Sequence, residues 1–173
     1  RRWRVAELAE VAGVSLGHVS NVRNGLLDRE WAQLAEDGMF LAAPDALLDA
    51  WRDAYEAPSG QRQAFYTTLH GASFDAVLRD RPPEGKGQIA LASFSAAQWL
   101  APFGRTGTHY FYADAEGLEI LRSRLKLSSA SKGENVVVTV LDDPGLFRDT
   151  VQPASGVVCT SPVQTYLDLA AAG

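Results

Sequence analysis

The first regular pattern of apolar and polar positions is the stretch VAELAEVAGVSLGHVSNV near the N-terminus. Its first half places Ala9 on the apolar side of a short amphipathic segment, and its second half places Val19 and Val22 one helical turn apart. Gly13 separates the two halves, and glycine adopts the positive φ that ends a helix without steric cost. The pattern therefore predicts two helices that cross at a tight turn.

The residues at this turn predict a helix-turn-helix. Ala9 is small enough for a second helix to cross close to it, Val14 is expected to plug the turn, and Ser15 is expected to cap the second helix. The second helix would then expose small and hydrogen-bonding side chains, which suit the floor of a DNA major groove. These side chains are Leu16, Gly17, His18, Ser20, Asn21, Arg23 and Asn24.

A predicted hairpin follows the two helices. Asn24 and Gly25 are expected to stop the second helix, and the apolar runs 31–35 and 39–42 flank an Asp-Gly pair, which is a strong hairpin signal. The order of helix, helix and hairpin is that of a winged helix. A further amphipathic helix is expected over residues 44–55, and it closes a winged helix-turn-helix DNA-binding domain that we place at residues 1–57.

The pattern changes after a Pro- and Gly-containing joint at residues 57–63. Short β-rich runs then alternate with amphipathic helices, which predicts helices packed on a central sheet. The strands are expected at 64–69, 88–93, 108–112, 135–141 and 156–160, and the helices at 73–81, 95–101, 114–125, 144–148 and 161–171. The predicted fold class is thus α+β, with a mixed α/β-type domain at residues 63–173.

Composition places the chain among ordinary globular proteins. Hydrophobic residues make up 46% of the 173 residues, and no run of 18 apolar residues or secretory leader pattern is present. Cys159 is the single cysteine, so no internal disulfide can form. We expect a cytoplasmic protein with no membrane contact. The first residue is Arg1 and the last residues are LAAAG, so we also expect a fragment of a longer protein.

The net charge of −5 conceals a separation of charge along the predicted first domain. Residues 1–27 have four arginines and two acidic residues, a net charge of +2, whereas residues 28–56 have two arginines and eight acidic residues, a net charge of −6. A basic edge of this kind can face phosphates. Arg1, Arg2 and Arg4 are the candidates for phosphate contact. The predicted wing has Glu36 and Asp37 instead, which favours a structural role or a protein partner for it.

A second basic stretch lies in residues 122–132, RSRLKLSSASK, with Arg122, Arg124, Lys126 and Lys132 and no acidic residue. Two interpretations stay open. The stretch is either a solvated helix end that is favourable to the helix dipole, or an auxiliary patch for DNA or RNA.

No constellation of residues predicts catalysis, a metal site or a cofactor. The chain lacks HxxxH, HxH, CxxC and GxSxG spacings, and the turn-rich segment 82–88 lacks the residues of a phosphate loop. We therefore expect Ser95 and Ser161 to cap helices, Cys159 to be buried, and the aromatic run 109–112 to alternate between core and surface. His70, His109, Asp114, Glu116, Asp142 and Asp143 are the remaining acid-base candidates.

Three segments resemble the AbiEi-like antitoxins of type IV toxin-antitoxin systems, which are also transcriptional regulators. They are RRWRVAELAEVAGVSLGHVSNVRNGLLDREW at the start, FSAAQWLAPFG at 94–104 and SPVQTYLDLAAAG at 161–173. The resemblance implies a prokaryotic DNA-binding protein that represses its own operon and neutralises a toxin similar to nucleotidyltransferases.

The resulting prediction is a non-enzymatic DNA-binding regulator and antitoxin. Its partners would be operator double-stranded DNA, read by Ser15, His18, Ser20, Asn21, Arg23 and Asn24, and, by resemblance, the cognate toxin. Two alternatives belong to other classes. One is a nucleic-acid-processing enzyme, and the other is a repressor whose second domain senses a small ligand.

Overall fold

The computed structural model describes residues 1–80, 87–102 and 106–172, which form two compact units, Arg1–Tyr55 and Glu56–Gly173. Residues 82–86 of the segment predicted to be a turn-rich linker lie outside the described residues. The described part combines helices with a large mixed sheet, which agrees with the predicted α+β class.

The first unit consists of three helices and a two-stranded hairpin. They are α1 (Val5–Ala12), α2 (Leu16–Asp28), β1 (Ala32–Ala35), β2 (Gly38–Leu41) and α3 (Pro44–Asp53). Trp3 joins the hairpin through two backbone hydrogen bonds with Met39, of 2.8 and 2.9 Å. Gly38 permits this approach, because a Cβ there would lie 2.7 Å from the Trp3 carbonyl oxygen. The packed centre of the unit holds Ala9, Val19, Ala32 and Met39.

The turn between α1 and α2 follows the prediction. Gly13 has a φ of 68°. Its N–H donates to the Glu10 carbonyl at 3.2 Å, while the Val14 N–H donates to the Ala9 carbonyl at 3.1 Å. These two bonds form a Schellman motif, which satisfies the last carbonyls of α1. Ser15 Oγ then accepts the His18 N–H at 3.1 Å and caps α2, as predicted.

The predicted stop of α2 at Asn24 and Gly25 is wrong. Gly25 stays helical, at a cost of about 1 kcal/mol relative to alanine, and its carbonyl accepts a hydrogen bond of 3.0 Å from Arg29 Nη1. The chain leaves the helix at Glu30, which has a φ of 59°. A second Schellman-type pair, with Trp31 N donating to the Leu26 carbonyl, closes this end.

Two of the predicted core valines are also exposed. Val14 and Val22 keep 41% and 46% of their accessible surface. Three residues advance a helix by about 300°, so Val22 is rotated by about 60° from the buried Val19 and falls beside the apolar stripe. Val14 belongs to neither helix, and Ala9 and Val19 already close the crossing.

The second unit is built on a seven-stranded sheet in the order β6-β3-β7-β5-β4-β9-β8. Two neighbouring pairs, β5 with β7 and β4 with β9, are parallel, and the others are antiparallel. The strands are β3 (Gly60–Tyr66), β4 (Ile89–Leu91), β5 (His109–Ala113), β6 (Ser128–Ser129), β7 (Val136–Leu141), β8 (Thr150–Ala154) and β9 (Val157–Thr160). The helices are α4 (Gly71–Arg79), α5 (Ser93–Leu100), α6 (Ala115–Arg124), a 3-10 helix (Pro144–Asp149) and α7 (Pro162–Ala172).

Helices cover both faces of this sheet. Alternate residues of a strand point to opposite faces, and along β5 the Phe111 ring lies 6.4 Å from the ring of Phe74 in α4. The next residue, Tyr112, reaches the other face and donates its hydroxyl to Asp168 of α7 at 3.0 Å. Phe111 and Tyr112 are both buried, so the expected alternation of the aromatic run between core and surface is wrong.

The remaining differences concern element ends. β3 begins inside the predicted joint. The edge strands β6 and β8 were not predicted, because they are polar and lack the apolar alternation by which a strand is recognised. Ser95 lies inside α5 and does not cap it. Its buried Oγ accepts the Tyr110 N–H at 2.8 Å. Ser161 does cap α7, by accepting the Gln164 N–H at 3.2 Å.

Candidate nucleic-acid interface

The exposed face of α2 presents the chemistry that the sequence predicted for a groove. Leu16, Gly17, His18, Asn21 and Asn24 are exposed. A Cβ at Gly17 would meet only the Ser15 hydroxyl oxygen, at 3.9 Å, so the backbone is open to close approach there. Asn side chains can bond two base atoms at once. This face is therefore accessible and mainly polar, with Leu16 as an exposed apolar side chain.

Two of the predicted groove residues lie deeper than expected. Ser20 and Arg23 are half-buried, and Arg23 Nε is enclosed without a hydrogen-bond partner among the described residues. Buried donors are normally paired. Arg23 thus stands at the boundary between the packed centre and the exposed face of α2. In the sequence, the residues one helical turn away from Arg23 do not indicate that it is partly buried.

The arginines at the N-terminus are held by partners within the first unit. Arg1 pairs with Glu7 at 2.8 Å, and its guanidinium lies 3.7 Å from the centre of the Trp3 ring. Arg2 Nη1 contacts both carboxylate oxygens of Asp37, at 3.0 and 3.1 Å. Both pairs are exposed to solvent, and such pairs contribute little stability. Sequence reasoning named the arginines and missed both acidic partners.

The hydrogen bond from Arg2 holds the pKa of the Asp37 carboxyl below its ordinary value, and the charges of Arg2 and Arg4 act in the same direction. Asp37 and Glu36 form the exposed two-residue tip of the hairpin, between the paired Ala35 and Gly38. Arg4 directly precedes α1 and is exposed. The first unit thus brings three arginines and the hairpin tip into one neighbourhood.

The four basic residues of the second basic stretch fall into two groups according to their contacts. Arg122 pairs with Glu119 at 3.1 Å, and Arg124 donates to the Val77 carbonyl at 3.2 Å and to the Asp80 carboxylate at 2.7 Å. Both arginines lie in the last turn of α6, where positive charge is favourable to the helix dipole. The other two members, Lys126 and Lys132, are exposed. These contacts favour the helix-end interpretation.

Three of the acid-base candidates of the second unit make contacts that stabilise the fold. The His109 ring stacks on Phe74 at 3.8 Å, and burial lowers its pKa. Asp114 caps α6 by accepting the Gly117 N–H at 2.6 Å, and Asp143 accepts the Gly145 N–H at 2.7 Å. Burial raises the pKa of the Cys159 thiol to about 12. In the described ranges, no three His, Cys, Asp or Glu side chains are grouped to hold a metal ion.

A cavity of about 270 Å³ lies within the second unit. Its walls come from α4, α6, β4, β5, β8, β9 and the 3-10 helix, and they are mainly apolar. Val77, Ile89, Phe111, Leu121, Phe147 and Val157 contribute to them. Arg124 is the charged residue of this lining, and its contacts with Val77 and Asp80 turn it toward the protein.

Comparisons with protein-family models, with curated proteins and with solved structures gave no match. The resemblance to AbiEi-like antitoxins therefore stays a prediction. Across the described parts of the chain, no helix has the length and apolar character needed to cross a membrane.

Proposed function

We propose that the unit Arg1–Tyr55 is a winged helix-turn-helix that binds double-stranded DNA, with α2 as its recognition helix. The observation that carries the proposal is the pair of caps at the turn. The Schellman motif at Gly13 ends α1, and the Ser15 cap begins α2, so hydrogen bonds define both ends of the short turn between the helices. The order of Trp3 bridge, α1, α2 and hairpin is also that of a winged helix.

In this proposal α2 enters the major groove with its exposed polar face. Asn21, Asn24 and His18 would reach base edges, while Ser15 and Ser20 approach the backbone or the groove wall. Arg23 would use its outer guanidinium nitrogens while its Nε stays enclosed.

Arg1, Arg2 and Arg4 would leave their present surroundings for phosphates. The ion pairs that Arg1 and Arg2 now make are exposed, so exchanging a carboxylate for a phosphate oxygen changes little in solvation.

The biological role that we propose is autorepression and antitoxicity, without turnover. The support for antitoxicity is the sequence resemblance together with the acidic segment 28–56, whose net charge of −6 is suited to a protein surface rather than to DNA. Growth of cells that express the nucleotidyltransferase-like toxin implied by the resemblance, with and without this chain, tests this role. Rescue of growth is expected, and unrelieved toxicity would contradict it.

The DNA proposal is tested by selecting duplexes from a random library with the full chain and measuring affinity by fluorescence anisotropy. Asn21→Ala should lose about 1 to 3 kcal/mol on the selected duplex, and it should lose little on random duplex. Gln33→Ala is the matched control, because it also truncates an exposed amide but lies on β1. Equal effects of the two variants on the selected duplex would refute the recognition helix.

The same selected duplex distinguishes the DNA-binding proposal from the alternative of a nucleic-acid-processing enzyme. Incubation with Mg²⁺ followed by a denaturing gel distinguishes retention of intact strands, which we expect, from cleavage.

The cavity supports a second candidate function, a repressor that senses a small apolar ligand. Fluorescence of an anilinonaphthalene sulfonate dye would report occupancy, and Val77→Phe should narrow the space and weaken the signal. If the dye also changes DNA affinity in the parent protein and not in the variant, sensing is supported. Dye binding without any effect on DNA would contradict it.

A further inference from the structure

The tip of the hairpin and the N-terminal segment are held together by main-chain bonds. The two hydrogen bonds between Trp3 and Met39 fix Trp3 beside β2, and Arg2 is the preceding residue. Asp37 lies two residues before Met39, at the hairpin tip. The backbone thus keeps Arg2 and Asp37 adjacent, and their side chains form a pair in which one guanidinium nitrogen contacts both carboxylate oxygens.

We propose that Asp37 is a built-in competitor of DNA phosphate for Arg2, so that the wing reduces the DNA affinity of its own domain. The proposal rests on the DNA-binding function proposed above. A carboxylate and a phosphate offer a guanidinium similar oxygen pairs. Asp37 therefore occupies Nη1, one of the guanidinium nitrogens, and its negative charge offsets the positive charge that would attract a phosphate.

The competition has a second part, which begins once DNA has taken Arg2. Asp37 then stays at the hairpin tip, because the strand pairing and the Trp3 bridge do not depend on its side chain. It has then lost its hydrogen-bonded partner and lies beside the phosphate that Arg2 now binds, and the repulsion between the two negative charges disfavours the complex.

The pair of Arg1 and Glu7 differs in this respect. Glu7 lies in the first turn of α1, where the partial positive charge of the helix N-terminus favours a carboxylate even without an arginine. Asp37 has no helix terminus of its own, since it lies in a two-residue hairpin turn. Release of Arg2 should therefore cost the complex more than release of Arg1.

The neighbouring acid gives a matched control. Glu36 lies at the same hairpin tip, is exposed, and makes no ion pair or side-chain hydrogen bond with the described residues. Glu36→Gln and Asp37→Asn remove the same charge from the same turn and keep similar side-chain volumes. Only Asp37→Asn removes the charged partner of Arg2.

The test measures the affinity of the full chain for a short random-sequence duplex by fluorescence anisotropy at several salt concentrations. Asp37→Asn should bind about two- to fivefold more tightly than the parent at low salt, the range that the exposed pair implies, and this gain should shrink as salt rises. Glu36→Gln should give a clearly smaller gain. In an Arg2→Ala background, the gain from Asp37→Asn should fall to that of Glu36→Gln.

The outcomes separate the two proposals. Equal gains from Asp37→Asn and Glu36→Gln, or a gain that survives unchanged in the Arg2→Ala background, would overturn the competition and leave DNA binding intact. Absence of binding to any duplex by the parent and by all variants would overturn the DNA-binding function and this inference with it. Circular dichroism and the thermal transition of each variant show whether the fold is retained, and a changed affinity counts only for folded variants.

Discussion

Gly13 is the residue on which the proposed DNA-binding geometry depends most directly. Its φ of 68° lies in the left-handed region, and its N–H and that of Val14 satisfy the last carbonyls of α1. Gly13→Val places a β-branched residue in this conformation, and the strain costs about 1 to 3 kcal/mol. Valine also lowers the conformational entropy of the unfolded chain relative to glycine, and this stabilising effect offsets up to about 1 kcal/mol of the strain. A net loss of about 1 to 2 kcal/mol is expected, equivalent to a roughly 5- to 30-fold larger open population.

Hydrogen exchange followed by mass spectrometry measures this loss in the first unit separately from the second. Peptides covering α1 and α2 should exchange about 5- to 30-fold faster in Gly13→Val, whereas peptides covering β5 should be unchanged. Gly13→Asn is the control, because asparagine tolerates the left-handed region better than valine. Unchanged exchange in the valine variant would mean that the turn does not set the stability of the helix pair.

Three further predictions concern single contacts. Tyr112→Phe removes a donor from the buried Asp168 carboxylate and should cost about 1.5 to 3 kcal/mol in denaturant unfolding of the second unit. Arg2→Ala should raise the pKa of Asp37 toward its ordinary value in a carbon-13 carboxyl titration. Because the folded pKa is lowered, the stability that the pair provides is present above the ordinary pKa and is lost as pH falls through the lowered one. Gly156→Ala combines a φ of 78° with a Cβ that collides with a backbone carbonyl, so it should lower the free energy of unfolding by more than the strain of φ alone, about 1 to 3 kcal/mol.

Two of these predictions have internal controls. Tyr110→Phe removes the neighbouring hydroxyl of β5, which makes no hydrogen bond with the described residues, and it should be nearly neutral. Gly133 has a φ of 72° with open space around it, so Gly133→Ala isolates the cost of the left-handed conformation. Equal losses from the two glycine variants would show that the second unit relaxes around a Cβ at Gly156. A pKa of Asp37 that does not move in Arg2→Ala would show that the carboxyl is not paired in solution.

The parts of the fold that followed from the sequence are those in which a single residue type satisfies a local backbone need. Gly13 supplies a positive φ, and Ser15 and Ser161 supply a cap, so these ends were predictable. Local rules failed at two positions. Gly25 continues a helix, and Ser95 is drawn to a backbone N–H of β5 instead of capping α5.

Burial was harder to predict, since it depends on how many layers cover an element. The run 109–112 has one pattern in the sequence whether one or two faces of the sheet are covered, and only the packing of α4 and α7 on opposite faces decides it. Arg23 shows the same limit on α2. Its position at helical spacing from Val19 and Ser20 does not reveal that its Nε is enclosed.

The candidate nucleic-acid interface was also only partly predictable from the sequence. The period of α2 correctly predicted the exposure of His18, Asn21 and Asn24, but it did not predict the exposure of Val22 or the partial burial of Ser20 and Arg23. Which charges are occupied does not follow, because Arg2 meets an acid 35 positions away through the hairpin and the Trp3 bridge. A count of charges therefore gives the net charge of a segment, whereas the fold determines which of its arginines are already paired with a carboxylate. For the first unit the two contributions can be measured separately. Asp37→Asn and Glu36→Gln change the net charge by the same amount, but only Asp37→Asn removes the charged partner of Arg2.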